Sequence, residues 1–310
     1  ADVEADSETI DFAKIEIAIA TAAVGNAIAG NATLRLGREI VADARLEAPR
    51  LDLDAFGVHR RALDGPALMT GVSDFLRALP AGLSIGLGFN VTSLTIGGET
   101  LEASQLRIVT GRGRMRIEET SLALPGQTRL GLSGTLVAGE AEPAFSGEAT
   151  LDTTDLRALA DWAFPGYRQG LREAWNGSRG RLSLSGKLDA APDRLRLTDV
   201  NATLDDSRIS GSFSLNAGAP SELAVRLVAD TLDIDRYAPD GLMPAGDRQS
   251  RMDRTFDIIA AAMGYGGFQF TLQADRVKLH GVDADDVAVD IGANADGLEL
   301  RTVQIGNVGA

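Results

Sequence analysis

The stretch Leu51-Asp52-Leu53-Asp54 returns as Leu232-Asp233-Ile234-Asp235, and a degenerate third copy reads Leu151-Asp152-Thr153-Thr154-Asp155-Leu156. In the two close copies an alternating apolar/polar run comes before, and a short helical segment and more strands follow. A chain that repeats one structural phrase is built as an array of supersecondary units, each burying its apolar face against the next. The functional question therefore becomes what runs along the array, before it becomes which pocket binds what.

A second internal match points the same way. Leu94 to Ile117 aligns without gaps onto Val277 to Leu300, so that Leu94, Ile96, Leu106, Ile108, Met115 and Ile117 fall on Val277, Leu279, Val289, Ile291, Leu298 and Leu300. Gly98 falls on Gly281, and both segments read strand, glycine turn, strand, polar turn, strand. The tentative units are 10–80, 81–177, 178–264 and 265–310.

Strand signals dominate elsewhere too. Alternation places strands at Phe89 to Ile96, Leu101 to Ile108, Arg114 to Ile117, Leu122 to Leu124, Leu130 to Leu136 and Leu182 to Leu188. Further strands are expected at Leu195 to Leu197, Ile209 to Leu215, Leu223 to Leu227, Phe268 to Val277 and Val287 to Ile291. Three segments read as helices. Val72 to Leu79 has Ser73 as its cap and Pro80 as its stop, Thr154 to Ala163 continues shortly over Tyr167 to Trp175, and Ser250 to Met263 ends at Gly264. Parallel strands do not alternate with long helices, so the expectation is a mainly β fold with a few short α-helices. Its sheet should be an elongated, mostly antiparallel repeat curled into a groove, with the helices covering one face or one end.

Composition narrows function by exclusion. A net charge of -14 argues against nucleic acid, whose phosphates demand a surplus of Lys and Arg. With no cysteine there is no disulfide, thiolate metal site or cysteine nucleophile, and His59 and His280 alone give little for a zinc site or a histidine-based triad. Nowhere does the chain reach the roughly 18 to 20 apolar residues of a spanning helix. Phosphate-cradling glycine loops are absent. No cofactor, no metal and no catalysis are expected.

The paired aspartates invite a calcium reading, since two carboxylates spaced by two share one strand face. The supporting ligands and glycine turn of such a site are missing. The reading preferred is that the aspartates end a strand, send Leu51 and Leu53 inward and cap the next turn. Asp283, Asp285 and Asp286 read as a solvated turn. Arg107, Arg112, Arg114 and Arg116 are the densest basic cluster. They could meet lipid phosphate, but they read first as the wet face of a strand and turn. A β-helical carbohydrate enzyme ranks lowest, because nothing singles out a carboxylate pair and the two tryptophans, Trp162 and Trp175, both fall on helices.

The stretches Ala229-Asp-Thr-Leu232-Asp-Ile-Asp235-Arg-Tyr237-Ala-Pro239, Phe145 to Leu159 and Val277-Lys-Leu-His-Gly281, with Val287 to Ile291 and Gly297 to Leu300, together resemble the AsmA family of bacterial envelope proteins. That resemblance implies a periplasmic protein tethered to the inner membrane by an N-terminal helix absent from this chain. It implies a long curled sheet with an apolar groove that shields or transfers phospholipid, or another acyl lipid, between inner and outer membrane in outer-membrane biogenesis. Leu94, Ile96, Leu106, Ile108, Val277, Leu279, Val289 and Ile291 are the lipid-binding candidates on its inner row. The alternative is a non-catalytic envelope scaffold that binds other proteins through its β-repeat surface.

Overall fold

In a computed structural model the described residues are 2–19, 26–56, 65–96, 99–139, 142–163, 180–237, 266–279, 281–294 and 297–309. The fold is mainly β. Among the described residues eighteen strands belong to one mostly antiparallel sheet, accompanied by two α-helices. In chain order the first half runs β1 (Asp2–Ala5), β2 (Thr9–Ile19), β3 (Asn26–Arg35), β4 (Ile40–Ala48), β5 (Leu51–Asp52), α1 (Gly65–Ala78), β6 (Leu83–Ile96), β7 (Glu99–Gly111), β8 (Arg114–Leu124), β9 (Thr128–Ala138) and β10 (Pro143–Thr153). The second half runs α2 (Leu156–Ala163), β11 (Leu182–Ala191), β12 (Arg194–Leu204), β13 (Ser207–Asn216), β14 (Glu222–Asp233), β15 (Gly267–Leu279), β16 (Val282–Asn294), β17 (Gly297–Gln304) and β18 (Asn307–Gly309).

The chain divides into two compact units. The first holds Ala1–Leu124, Arg129–Thr150 and Leu188–Pro192; the second holds Pro125–Thr128, Leu151–Lys187 and Asp193–Ala310. In the first unit β2, β3 and β4 form an antiparallel meander, β4 and β5 pair parallel with β6, and β6, β7 and β8 resume the antiparallel course. In the second, β12, β13 and β14 are antiparallel, β14 pairs parallel with β15, and β15, β16 and β17 are antiparallel again, with β18 on β16. An antiparallel step needs only a hairpin, whereas a parallel step needs a crossover of a dozen or more residues. The two close copies of the Leu-Asp-x-Asp motif both sit where such a crossover leaves the sheet.

The internal repeat holds at the level of register. Ile108 lies opposite Ile117, and Ile291, 183 residues on, lies opposite Leu300; the hairpin pairs Leu94 with Leu101 and Val277 with Ala284. Upstream of the crossover Gly30 faces Leu46, and Gly211, 181 residues on, faces Leu227. Irregularities recur as well. The β7–β8 ladder shifts between Arg107 and Ile108, and the β16–β17 ladder shifts between Asp290 and Ile291. The same is true of Phe12/Ile15 on β2 and Leu197/Val200 on β12. Ala103 on β7 and Asp286 on β16, again 183 apart, both adopt positive φ, 48° and 52°. Side-chain placement rarely survives two such kinks unless the kink is part of the design of the strand.

Helix α1 is longer than the sequence suggests. It begins at Gly65, so Ser73 lies mid-helix, fully buried with its hydroxyl unpartnered, and caps nothing. The helix stops before Pro80 as expected. One face carries Met69, Val72, Leu76 and Leu79 into a cluster with Leu136, Phe145, Met115 and Ile117, leaving Leu76 only 1% exposed. At α2 the cap is Asp155, whose carboxylate accepts from the Ala158 amide at 3.0 Å, one residue beyond the expected threonine. The expected helices at Tyr167 to Trp175 and Ser250 to Met263 lie outside the described residues. Arg114 to Leu124 is one strand where two were expected, and β1 to β4, β10, β17 and β18 were not foreseen as separate strands.

Candidate functional site

The two units present the same apolar surface, assembled row by row across neighbouring strands. In the first unit Phe12, Ala32, Ala44, Leu87, Ile108 and Ile117 lie opposite one another in succession from β2 to β8. In the second the equivalent row is Leu197, Phe213, Val225, Phe270, Ile291 and Leu300, from β12 to β17. Directly paired residues point to the same face, so each row is a lateral stripe of side chains. Neither parallel step interrupts it. A second stripe beside each contains Leu46, Phe89 and Leu106 in one unit and Leu227, Leu272 and Val289 in the other. The Phe268 and Phe270 rings stack with centroids 6.5 Å apart on one strand.

All eight candidates from the sequence lie on these strands. Leu106, Ile108, Val289 and Ile291 sit within the stripes. Leu94 and Val277 sit beyond the kink, each level with the leading leucine of a motif, Leu51 and Leu232. Strict alternation would put Leu94 and Phe89, five positions apart, on opposite faces. The kink at Ala103 undoes this: Leu101 and Ser104, three apart on β7, are both buried, at 5% and 7%, as are Ala274 and Val277 on β15, at 5% and 6%. Ile96 ends β6 opposite Glu99, and Leu279 ends β15 opposite Val282. The stripe residues Leu87, Leu106, Ile108, Phe270, Val289 and Ile291 are half-buried, unlike Leu76, Leu136 and Phe145, which α1 packs against. The far side of the strands is wet. Glu102, Arg107, Arg114, Arg116 and Glu118 are exposed, Arg107 lies opposite Glu119, and Arg112 pairs with Glu39.

What sequence reasoning missed is the first three strands of the first unit, which supply Phe12, Ile15, Ala32, Ala44 and Leu46. The signal was present as alternation through Ile10, Phe12 and then Ile15 and Ile17, but the two-residue slip after Phe12 breaks its period.

The motif aspartates are structural. Asp52 accepts from the Ala55 amide at 3.1 Å, and Asp233 accepts from the Arg236 amide at 3.3 Å, so both copies cap a short 3-10 turn. In the second copy the turn also ties neighbouring loops together. Asp235 accepts from the Gly281 amide at 2.8 Å in the β15–β16 turn. Arg236 pairs with Asp205 at 3.3 Å in the β12–β13 turn, and the Tyr237 hydroxyl donates to the same carboxylate. Burial pushes Asp205 up, but hydrogen bonds from Tyr237, the Arg181 amide and Arg236 outweigh it and hold the carboxyl below its ordinary value. Burial, then the Asp205 charge, push the Tyr237 phenol upward. Because the folded form prefers the Asp205 anion, its contribution is present above the ordinary carboxylate value of 3.8 and is lost as pH falls through the lowered one. Asp205→Asn is expected to cost roughly 1 kcal/mol at neutral pH. Its deficit against the parent should shrink in urea titrations taken below about pH 4, where the parent carboxylate protonates.

Among the described residues no three His, Asp or Glu side chains converge as a metal site would require, and no helix is long and apolar enough to cross a membrane. His59, His280 and Trp175 lie outside the described residues. Arg276 pairs with Asp285 at 3.1 Å, and Asp283 is an exposed strand position beside it. Comparison with protein-family models and with curated proteins gives no match. Among solved structures the chain is similar to the crystal structure of the sex pheromone staph-cAM373 precursor, at 9% identity over 90% of this chain and 75% of that one. The TM-score of 0.16 is too low for that likeness to carry an argument.

Proposed function

We propose that this is a non-catalytic lipid-handling protein whose apolar stripes shield the tails of a phospholipid or other acyl lipid, in the manner the AsmA resemblance implies. The setting of that reading is the periplasm, between inner and outer membrane. The observation that supports it is the stripe itself: six strands wide, apolar in both units, half-buried, and unbroken through the parallel step. An acyl chain in water costs about 0.8 kcal/mol per methylene, and a sheet face of this kind can offset that cost along its whole width. The exposed charged residues of the opposite face supply the solubility such a surface needs.

Native mass spectrometry and lipid extraction of the purified protein are expected to recover bound phospholipid. Ala44→Trp, which fills the centre of the first stripe, should reduce recovery several-fold, with an unchanged circular dichroism spectrum showing that the fold survives. Protein purified from a lipid-containing host that carries no lipid, and takes none up from phospholipid vesicles, would sink the reading.

A further inference from the structure

The internal repeat says what belongs beside β17. In the first unit β8 is followed in the sheet by β9, and the Ala138 amide donates to the Gly113 carbonyl at 2.9 Å where the two strands meet. Ile117 of β8 is packed there against the cluster built on Leu136 and Phe145. β17 is the counterpart of β8, with the same register to its neighbour and the same shift in its ladder. Yet among the described residues β17 pairs with β16 alone. Leu300, the counterpart of Ile117, is 61% exposed, and Val303, Ile305 and Val308 are 53%, 50% and 65% exposed.

Sheet edges that must stay unpaired are ordinarily guarded by proline, by lysine or by charges turned into the pairing face. From Gly297 to Val308 there is no proline and no lysine. The two charged residues, Glu299 and Arg301, pair with each other at 2.9 Å and leave the edge unguarded. We infer that the β17 edge is an acceptor for an antiparallel β-strand of β9 character from a partner polypeptide. Such a strand is extended, uncharged over most of its length and apolar at every second position. It would add backbone hydrogen bonds to β17 and set its apolar side chains against Leu300 and Val303. The inference stands on the repeat and does not depend on lipid binding.

The probe is a fluorescein-labelled peptide with this chain's own β9 sequence, residues 128–138, titrated with the full chain and read by fluorescence anisotropy. Saturable binding is expected. It should weaken by about tenfold or more in Leu300→Lys/Val303→Lys, whose sites are exposed, so that the fold survives. A peptide methylated at alternate backbone nitrogens should not bind. Absence of binding to the parent, or equal binding to the double variant, would overturn the inference. So would sedimentation showing the chain alone as a dimer that the double substitution dissolves, since the edge would then be taken by a second copy.

Discussion

Gly30→Ala and Gly211→Ala are each expected to destabilise the protein by about 3 kcal/mol, far more than a single methyl group normally costs. The reason is the close approach of neighbouring backbone. A Cβ at Gly30 would fall well inside van der Waals contact of the Arg45 carbonyl oxygen, and one at Gly211 would do the same at the Arg226 carbonyl oxygen. The obstructing atoms are main chain in both cases, held in a ladder to Leu46 or Leu227, so no side-chain rotation relieves the clash. Chemical unfolding midpoints measure the effect. Two other glycines calibrate it. Gly71 lies in α1 with nothing within 4 Å of its Cβ position, and Gly71→Ala should stabilise by about 0.5–1 kcal/mol through helix propensity. Gly37, with its nearest atom at 3.5 Å, should change little. Equal small effects at all four positions would refute the packing account.

Leu76→Ala should cost about 3–4 kcal/mol, within the range for emptying a fully buried leucine site. Leu76 is the side chain through which α1 grips the sheet, enclosed by Leu136 and Phe145 with Met69, Val72 and Leu79 around them. Its neighbour Phe75 is larger but 52% exposed, and Phe75→Ala should cost less than about 0.5 kcal/mol. The pair separates burial from bulk. If Phe75→Ala proves the more damaging in thermal or urea unfolding, α1 packs by a different face.

The strands were legible where alternation ran unbroken, as in Phe89 to Ile96 and Leu182 to Leu188, because period two is a property of the single strand. The kinks were not legible. Ala103 and Asp286 carry no residue-type signature of positive φ, yet they decide whether Leu94 and Val277 share a face with Leu106 and Val289. The stripes were legible only in part. Inward residues can be nominated one strand at a time, but which of them stand level depends on register, and register depends on turns such as Gly281 and on slips such as Phe12/Ile15. The motif aspartates read correctly as caps because Asp before a turn is local chemistry. That the same residues mark parallel steps was hidden, since strand direction across a crossover is a tertiary fact. The extent of α1 was misjudged because Gly71 and Thr70 look like turn residues until Met69, Val72 and Leu76 are seen to need one face.

The change of offset from 181 residues at Gly30 and Gly211 to 183 at Leu106 and Val289 has a consequence for how such chains can diverge. Both strand ladders and both kinks keep step on either side of it, so the two surplus residues are absorbed wholly between the leading leucine of the motif and the strand it returns to, Leu51 to Leu94 against Leu232 to Val277. Hairpins tolerate no such slack, because one residue more would turn every following side chain to the wrong face. The crossovers are thus the elastic joints of the molecule: sequence can be inserted, lost or replaced there while the apolar lanes stay in register.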